Sequence, residues 1–102
     1  MIDIREYLGQ RGRSSYKLWF DRLNPQAAAK VATALTRLAL GNVPNVKGVD
    51  SRVIEFRIDY GLGYRVYFGE HLIILLGGGT KKRQQQDVNA AITSWEDYKR
   101  RK

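Results

Sequence analysis

Cysteine is absent from this chain, and histidine occurs once, at His71. Disulfides, thiolate nucleophiles and cysteine-zinc sites are excluded, and no multi-histidine metal site can be assembled. Asp59, Glu70 and Asp87 share no ligand spacing, so the clustered carboxylates of metal-dependent hydrolysis are missing too. Two glycine-rich stretches fail as phosphate loops. Gly61-Leu-Gly63 lacks a third glycine and falls in a hairpin turn, while Gly77 to Lys82 lacks the Walker spacing and the Ser or Thr that would follow its lysine. The expectation is a protein with no metal and no cofactor. No apolar run approaches the roughly 20 residues that cross a bilayer. The N-terminal Met1-Ile-Asp-Ile-Arg-Glu6 reads as a strand and not as a leader, which points to a soluble, cytoplasmic protein with no membrane partner.

Acidic side chains are the other shortage: 10 Asp and Glu face 18 Lys and Arg, a formal net charge of +8. The pI is near 10.1. Such an excess favours polyanionic partners through steering and counterion release, with nucleic acid first among them, although solubility alone also makes small proteins basic. At 102 residues and 43% hydrophobic content, the chain suits one domain, 1–102, with a single core.

Ile2 to Tyr7 alternates at the strand period, and Gly9 and Gly12 then break it. Ser14 or Ser15 caps a short helix with Tyr16, Leu18, Trp19 and Leu23 at helical spacing, closed by Asn24-Pro25. The same pair opens a second helix, because Asn caps well and Pro loses nothing at the first helical position. Its stripe is Ala28, Val31, Leu35 and Leu38, and Gly41 ends it. Asn42 to Ser51 reads as a loop, extended at most over Val46 to Val49.

The main sheet is expected from Arg52 onward. In Arg52–Asp59 the side chains of Ile54, Phe56 and Ile58 oppose Glu55, Arg57 and Asp59, and in Tyr64–Phe68 those of Tyr64, Val66 and Phe68 oppose Arg65 and Tyr67. An antiparallel hairpin sharing its apolar face sets Asp59 near Arg65 and Arg57 near Tyr67. Gly69 to His71 is a hairpin turn, and Leu72–Leu76 is apolar throughout, as in a central strand covered on both faces. A basic loop, Gly77 to Arg83, follows. Val88, Ala91, Ile92, Trp95 and Tyr98 then mark a helix from about Gln85 to Lys99. The basic end, Lys99, Arg100 and Arg101, either offsets the helix dipole or contacts nucleic acid.

Arg57, Arg65, Lys81, Lys82 and Arg83 thus arise from successive sheet elements and the segment after them. They form a candidate basic patch, with Tyr67 and Tyr64 available to stack on bases. RNA is cleaved without metal when its 2′-hydroxyl attacks the adjacent phosphorus, and arginine suits the developing charge because its fork stays ionised and binds phosphate oxygens bidentately. A plain binding patch or a solvated face is the competing reading.

The succession Glu55-Phe-Arg57, Gly63-Tyr-Arg-Val-Tyr67, Leu75-Leu-Gly-Gly-Gly79 and Lys81-x-x-Gln84-x-x-Asp87-Val, with Trp19-Phe-x-x-Leu and Leu40-Gly-Asn upstream, resembles the phage-derived HigB-like branch of the RelE/ParE toxins, the addiction module killer proteins. The resemblance spans nearly the whole chain. It implies a RelE-like α+β fold: two N-terminal helices packed on a twisted, mainly antiparallel sheet of about four strands, plus a C-terminal helix. It further implies a type II toxin, monomeric when free, that cleaves mRNA on the ribosome and is silenced by a DNA-binding, helix-turn-helix antitoxin. Arg65 then matches the sheet arginine that stabilises the scissile phosphate, Arg57 lies on the same face, and Lys81, Lys82 and Arg83 match the basic segment after the last strand. RelE places a tyrosine early in its C-terminal region and HigB enzymes transfer protons through histidines. Here Val88 and Asn89 follow Asp87, and the general base stays unassigned, with Lys81 or Lys82 as candidates. Two alternatives stand beside this reading: a ParE-like gyrase inhibitor, and a non-catalytic RNA- or partner-binding module of the same fold.

Overall fold

The computed structural model describes residues 3–9, 11–42, 46–61, 63–69 and 73–101. His71, Leu72 and the tip of the hairpin turn expected around them lie outside the described residues, as do Met1 and Ile2 of the first strand. The elements in chain order are β1 (Ile4–Glu6), α1 (Ser15–Asp21), α2 (Pro25–Ala39), β2 (Val46–Asp50), β3 (Val53–Ile58), β4 (Tyr64–Gly69), β5 (Ile73–Thr80) and α3 (Gln84–Arg100), the last entered through a 3-10 turn at Lys81–Arg83. The architecture is α+β, with three helices on one mixed five-stranded sheet of order β1-β5-β4-β3-β2. Among the described residues, no helix is long and apolar enough to cross a membrane.

The two N-terminal helices begin and end where local chemistry demands. Ser14 Oγ accepts from the Lys17 N–H at 3.0 Å and Asn24 Oδ1 from the Ala27 N–H at 2.9 Å, each satisfying a donor that the first helical turn leaves open. Past Leu40, Gly41 adopts φ 88° and donates to the Leu38 carbonyl, while Asn42 donates to that of Arg37. This is a Schellman closure, and its left-handed position favours glycine. The buried stripe of α1 differs from the expected one: Leu18 is exposed, and Tyr16, Trp19, Phe20 and Leu23 pack on the sheet. Those four lie at i, i+3, i+4 and i+7, a single helical face that Leu18 misses. In α2 the fully enclosed alanine is Ala27, with Val31 and Leu38.

Strand alternation divides the sheet as the sequence indicates. Phe56, Ile58, Val66, Phe68 and Leu75 meet α1 and α2, while Val53, Tyr67, Ile74 and Leu76 meet Val88, Ala91 and Trp95 of α3. Four features correct or extend the expectation. The sheet has five strands, because Val46–Asp50 pairs with β3 through a two-residue turn. Ser51 and Arg52 take φ 51° and 64° there, a left-handed pair that matches the twist of a hairpin but lacks the usual glycine. Pairing of β3 with β4 sets Arg57 opposite Arg65 and Glu55 opposite Tyr67, two residues away from the expected register, so that faces are preserved but partners change. β1 pairs parallel to β5. Finally, Gly77 to Thr80 is not a loop but the continuation of β5, with a bulge at Leu76, since Tyr67 faces Gly77 and Phe68 faces Leu75.

Glycine in this strand is explained by what stands over it. A Cβ on Gly78 would meet the Trp19 ring, and one on Gly69 the Trp95 ring. Each indole presses onto bare backbone, so a methyl group must displace an aromatic anchored in the core. Gly78→Ala is expected to cost about 1–3 kcal/mol. Thermal unfolding reads this as a fall in Tm of roughly 4–8 °C per kcal/mol for a domain of this size. An unchanged Tm would show that Trp19 yields freely.

Candidate functional site

The expected patch centres on the β3 and β4 face that turns toward α3. Arg65 is only 5% exposed there, and its partner Glu55 1%. Arg65 Nε lies 3.6 Å from Glu55 Oε1, and Arg65 Nη1 donates to the Gly63 carbonyl at 2.9 Å. The other carboxylate oxygen, Glu55 Oε2, accepts from Gln84 Nε2 at 2.8 Å and from the Tyr67 hydroxyl at 3.3 Å. One buried carboxylate therefore joins β4 on its own sheet to the first residue of α3. Burial raises the Tyr67 phenol far above its ordinary value, and the Glu55 and Asp87 carboxylates push it further, so it remains a protonated donor.

Asp87, one turn into α3, completes the cluster from above. A Cβ on Gly79 would meet its carboxylate, so the bare backbone of β5 is what lets the first turn of the helix come so close. Burial raises the Asp87 pKa and the nearby Arg83 charge holds it down in part. Among the described residues no three His, Cys, Asp or Glu side chains gather as a metal ion would require.

The exposed cations stand at the rim of this cluster. Arg57 sits directly across from Arg65, and the Lys81 N–H donates to the Gly63 carbonyl at 3.2 Å, which brings Lys81 to the same end of the sheet. Arg57, Lys81, Lys82 and Arg83 are all exposed. Among the described residues, Arg57, Lys81 and Lys82 have no carboxylate in ion-pair range, and Arg83 Nε is held by Gln86 Oε1 at 2.8 Å.

The remaining candidates lie elsewhere. Tyr67 is fully buried and presents no ring face for a base to stack on. Tyr64 belongs to the opposite face, with its ring 6.4 Å from Trp19 and 6.2 Å from Tyr60. Lys99, Arg100 and Arg101 sit at the far end of α3, about 25 Å away along a helix of this length. There Lys99 meets Glu96, and Arg100 and Arg101 both meet Asp97, which also accepts from the Tyr7 hydroxyl at 2.6 Å. These contacts tie the helix end to the start of the chain. The residues that sequence reasoning passed over are Glu55 and Gln84. Both stand in the motifs quoted above, but alternation marked Glu55 only as charged and outward, and nothing local signals that a helix covers it.

The fold and site define a small α+β protein with a cationic sheet end built around a buried carboxylate. No family model and no solved structure matches the chain. A protein of Haemophilus influenzae, described as uncharacterized, is 40% identical over 81 residues, covering 76% of this chain and 82% of its own length. The chain belongs to the same family as that protein.

Burying Glu55 with Arg65 costs desolvation that the pair only offsets, so removing one member is worse than removing both. Glu55→Ala is expected to lose about 3–5 kcal/mol, and Glu55→Leu with Arg65→Met substantially less. Urea unfolding of the single and double variants measures this, and a double variant no better than Glu55→Ala would refute the pairing. For Asp87 the folded pKa is raised, so its contribution to stability is present below its ordinary 3.8 and lost as pH rises through the raised value. Asp87→Asn should therefore gain stability relative to the native protein as pH rises from below 3.8 through the raised value. A difference between the two that does not change with pH would count against it.

Proposed function

We propose that the protein is a RelE-like toxin of the HigB-like branch, a metal-independent endoribonuclease that cuts mRNA on the ribosome in the cytoplasm and is held in check by a cognate DNA-binding antitoxin. The observation that carries this reading is the like-charge pairing of Arg57 with Arg65, reinforced by Lys81 at the same end of the sheet. Like charges placed directly across a sheet destabilise it. Glu55 offsets only the buried member, which leaves an exposed cationic rim that an anionic backbone would relieve. In this reading Arg57, Lys81, Lys82 and Arg83 receive the RNA strand, and Arg65, held in a fixed orientation by Glu55 and Gly63, supports the charge that develops on the scissile phosphate.

A groove of about 450 Å³ between α2 and β3 is lined by three cations, Lys30, Arg37 and Arg57, and one acid, Asp59, over an apolar floor that includes Ala34 and Phe56. An antitoxin segment carrying acidic side chains would complement it and cover Arg57, the chemistry expected of a neutralising partner.

The burial of Arg65 and Tyr67 favours one second reading, a module of the same fold that binds RNA without cutting it. Induction of the native chain, of Arg57→Ala and of Lys81→Ala with Lys82→Ala separates the two, with primer extension on a translated message as the readout. The native chain is expected to produce discrete cuts, and each exposed-rim variant to lower cleavage by about 10–100-fold, the scale of losing a charged hydrogen bond to phosphate. Uncut message with the native chain would sink the nuclease reading, and retained, steeply salt-dependent RNA binding would then support the module.

A further inference from the structure

The contacts on the Glu55 carboxylate run in the inverse order of their intrinsic strength. The neutral Gln84 amide makes the shortest, with Nε2 at 2.8 Å from Oε2, and the Tyr67 hydroxyl reaches the same oxygen at 3.3 Å. The cation is the most distant partner, with Arg65 Nε at 3.6 Å from Oε1. A guanidinium and a carboxylate free to approach each other close to about 2.7–2.9 Å, often through two parallel bonds. Here they do not, and Arg65 Nε is a buried donor with no hydrogen-bond partner among the described residues. An unmet buried N–H costs its desolvation, so something must hold the acceptor away from it.

Gln84 is placed to do so. It is the first residue of α3, and its own N–H donates to the Lys81 carbonyl, so it stands where the basic turn becomes helix. The helix behind it is fixed on the sheet by Val88, Ala91 and Trp95. An amide carried on that frame draws Oε2 toward α3, and Tyr67 engages the same oxygen, which leaves only Oε1 for Arg65. The guanidinium is tied in turn to the sheet, with Nη1 on the Gly63 carbonyl at 2.9 Å. Neither group can cross the remaining distance without loosening a bond already made. We propose that Gln84 is a positioning residue: it holds the Glu55 carboxylate short of Arg65, so that the guanidinium is oriented without being closed into a tight ion pair and keeps a donor for a phosphate oxygen. What Arg65 binds rests on the RNA-directed reading above, whereas the restraint on Glu55 belongs to the folded chain alone.

The test compares the native chain with Gln84→Met, which keeps the length and helix propensity of the side chain but removes its donor. The Arg65 Nε–H signal is followed by NMR in the isotope-labelled full chain. Released from Gln84, Glu55 is expected to close on Arg65, moving that signal downfield and slowing its exchange with solvent while the backbone spectrum stays native. In cleavage of a translated message, kcat should fall about 10–100-fold, the scale of losing a charged hydrogen bond to phosphate. KM should hold, because the exposed rim is intact. In a Glu55→Gln background, where no carboxylate is left to close, Gln84→Met should change neither readout further. An unmoved Arg65 signal overturns the proposal, and so does a loss that appears in KM or one that adds in full to that of Glu55→Gln. Should Glu55→Gln fail to fold, the Arg65 signal of Gln84→Met alone decides. A chain whose Arg65 signal moves, yet whose native form leaves messages uncut, keeps the restraint and removes the nuclease. One that cuts messages with an unmoved signal does the reverse.

Discussion

The carboxylate of Glu55 is the group on which this end of the molecule depends. It is enclosed by the sheet and α3, and it receives Arg65, Tyr67 and Gln84 from two different elements. An ion pair so deeply buried contributes little net stability, because desolvating both charges offsets their attraction. What it does contribute is orientation. Arg65 has few accessible rotamers once Nε lies against Glu55 and Nη1 on the Gly63 carbonyl, and Gln84 has its amide nitrogen committed before any ligand arrives. A preorganised guanidinium is of more use to a site than a mobile one, since no ordering entropy is lost when an anion binds.

This arrangement requires α3 to approach the sheet closely, and the glycines of β4 and β5 allow it. The Trp95 ring rests on Gly69 and the Asp87 carboxylate on Gly79, while Trp19 rests on Gly78 from the other side. Two helices on opposite faces thus press on the same thin stretch of β5. The bulge at Leu76 shifts the strand within the pairing just before this stretch, so Gly77 through Thr80 continue opposite β4 and carry the chain directly into the Lys81–Arg83 turn. Because that turn is short, the exposed cations and the buried cluster are adjacent by construction.

Much of this was legible from residue order. Period-two alternation separated Glu55, Arg57, Arg65 and Tyr67 from the apolar face, and the spacing of Val88, Ala91 and Trp95 located α3. Helix ends at Ser14, Asn24 and Gly41 follow from local hydrogen-bond chemistry, which is why they could be read. The rest depends on contacts distant in sequence. Polar alternation marks a face but not whether a helix will cover it, so Arg65 and Tyr67 read as surface although α3 encloses them. β2 reads as a loop extended at most over Val46 to Val49, and not as a paired strand, because its turn uses Ser51 and Arg52 in place of the Asn-Gly or Gly-rich pair that signals a tight hairpin. The glycine triplet read as a loop because a missing side chain looks alike in a flexible segment and beneath an indole ring.

The separation between buried and exposed cations has a consequence for how any anion would engage this surface. Arg65 already has a carboxylate, so an incoming phosphate competes with Glu55 for it at short range and in a medium where that competition is costly. Arg57, Lys81 and Lys82 have no such partner among the described residues, and they lie in solvent, where attraction is long-ranged but screened by salt over roughly 8–10 Å. On the proposed reading, capture would therefore belong to the rim and orientation to the interior. The two are linked through Gly63, whose carbonyl accepts both Arg65 Nη1 and the Lys81 N–H. Movement of the basic turn on binding would be felt first at that carbonyl, and through it at the guanidinium that Glu55 holds.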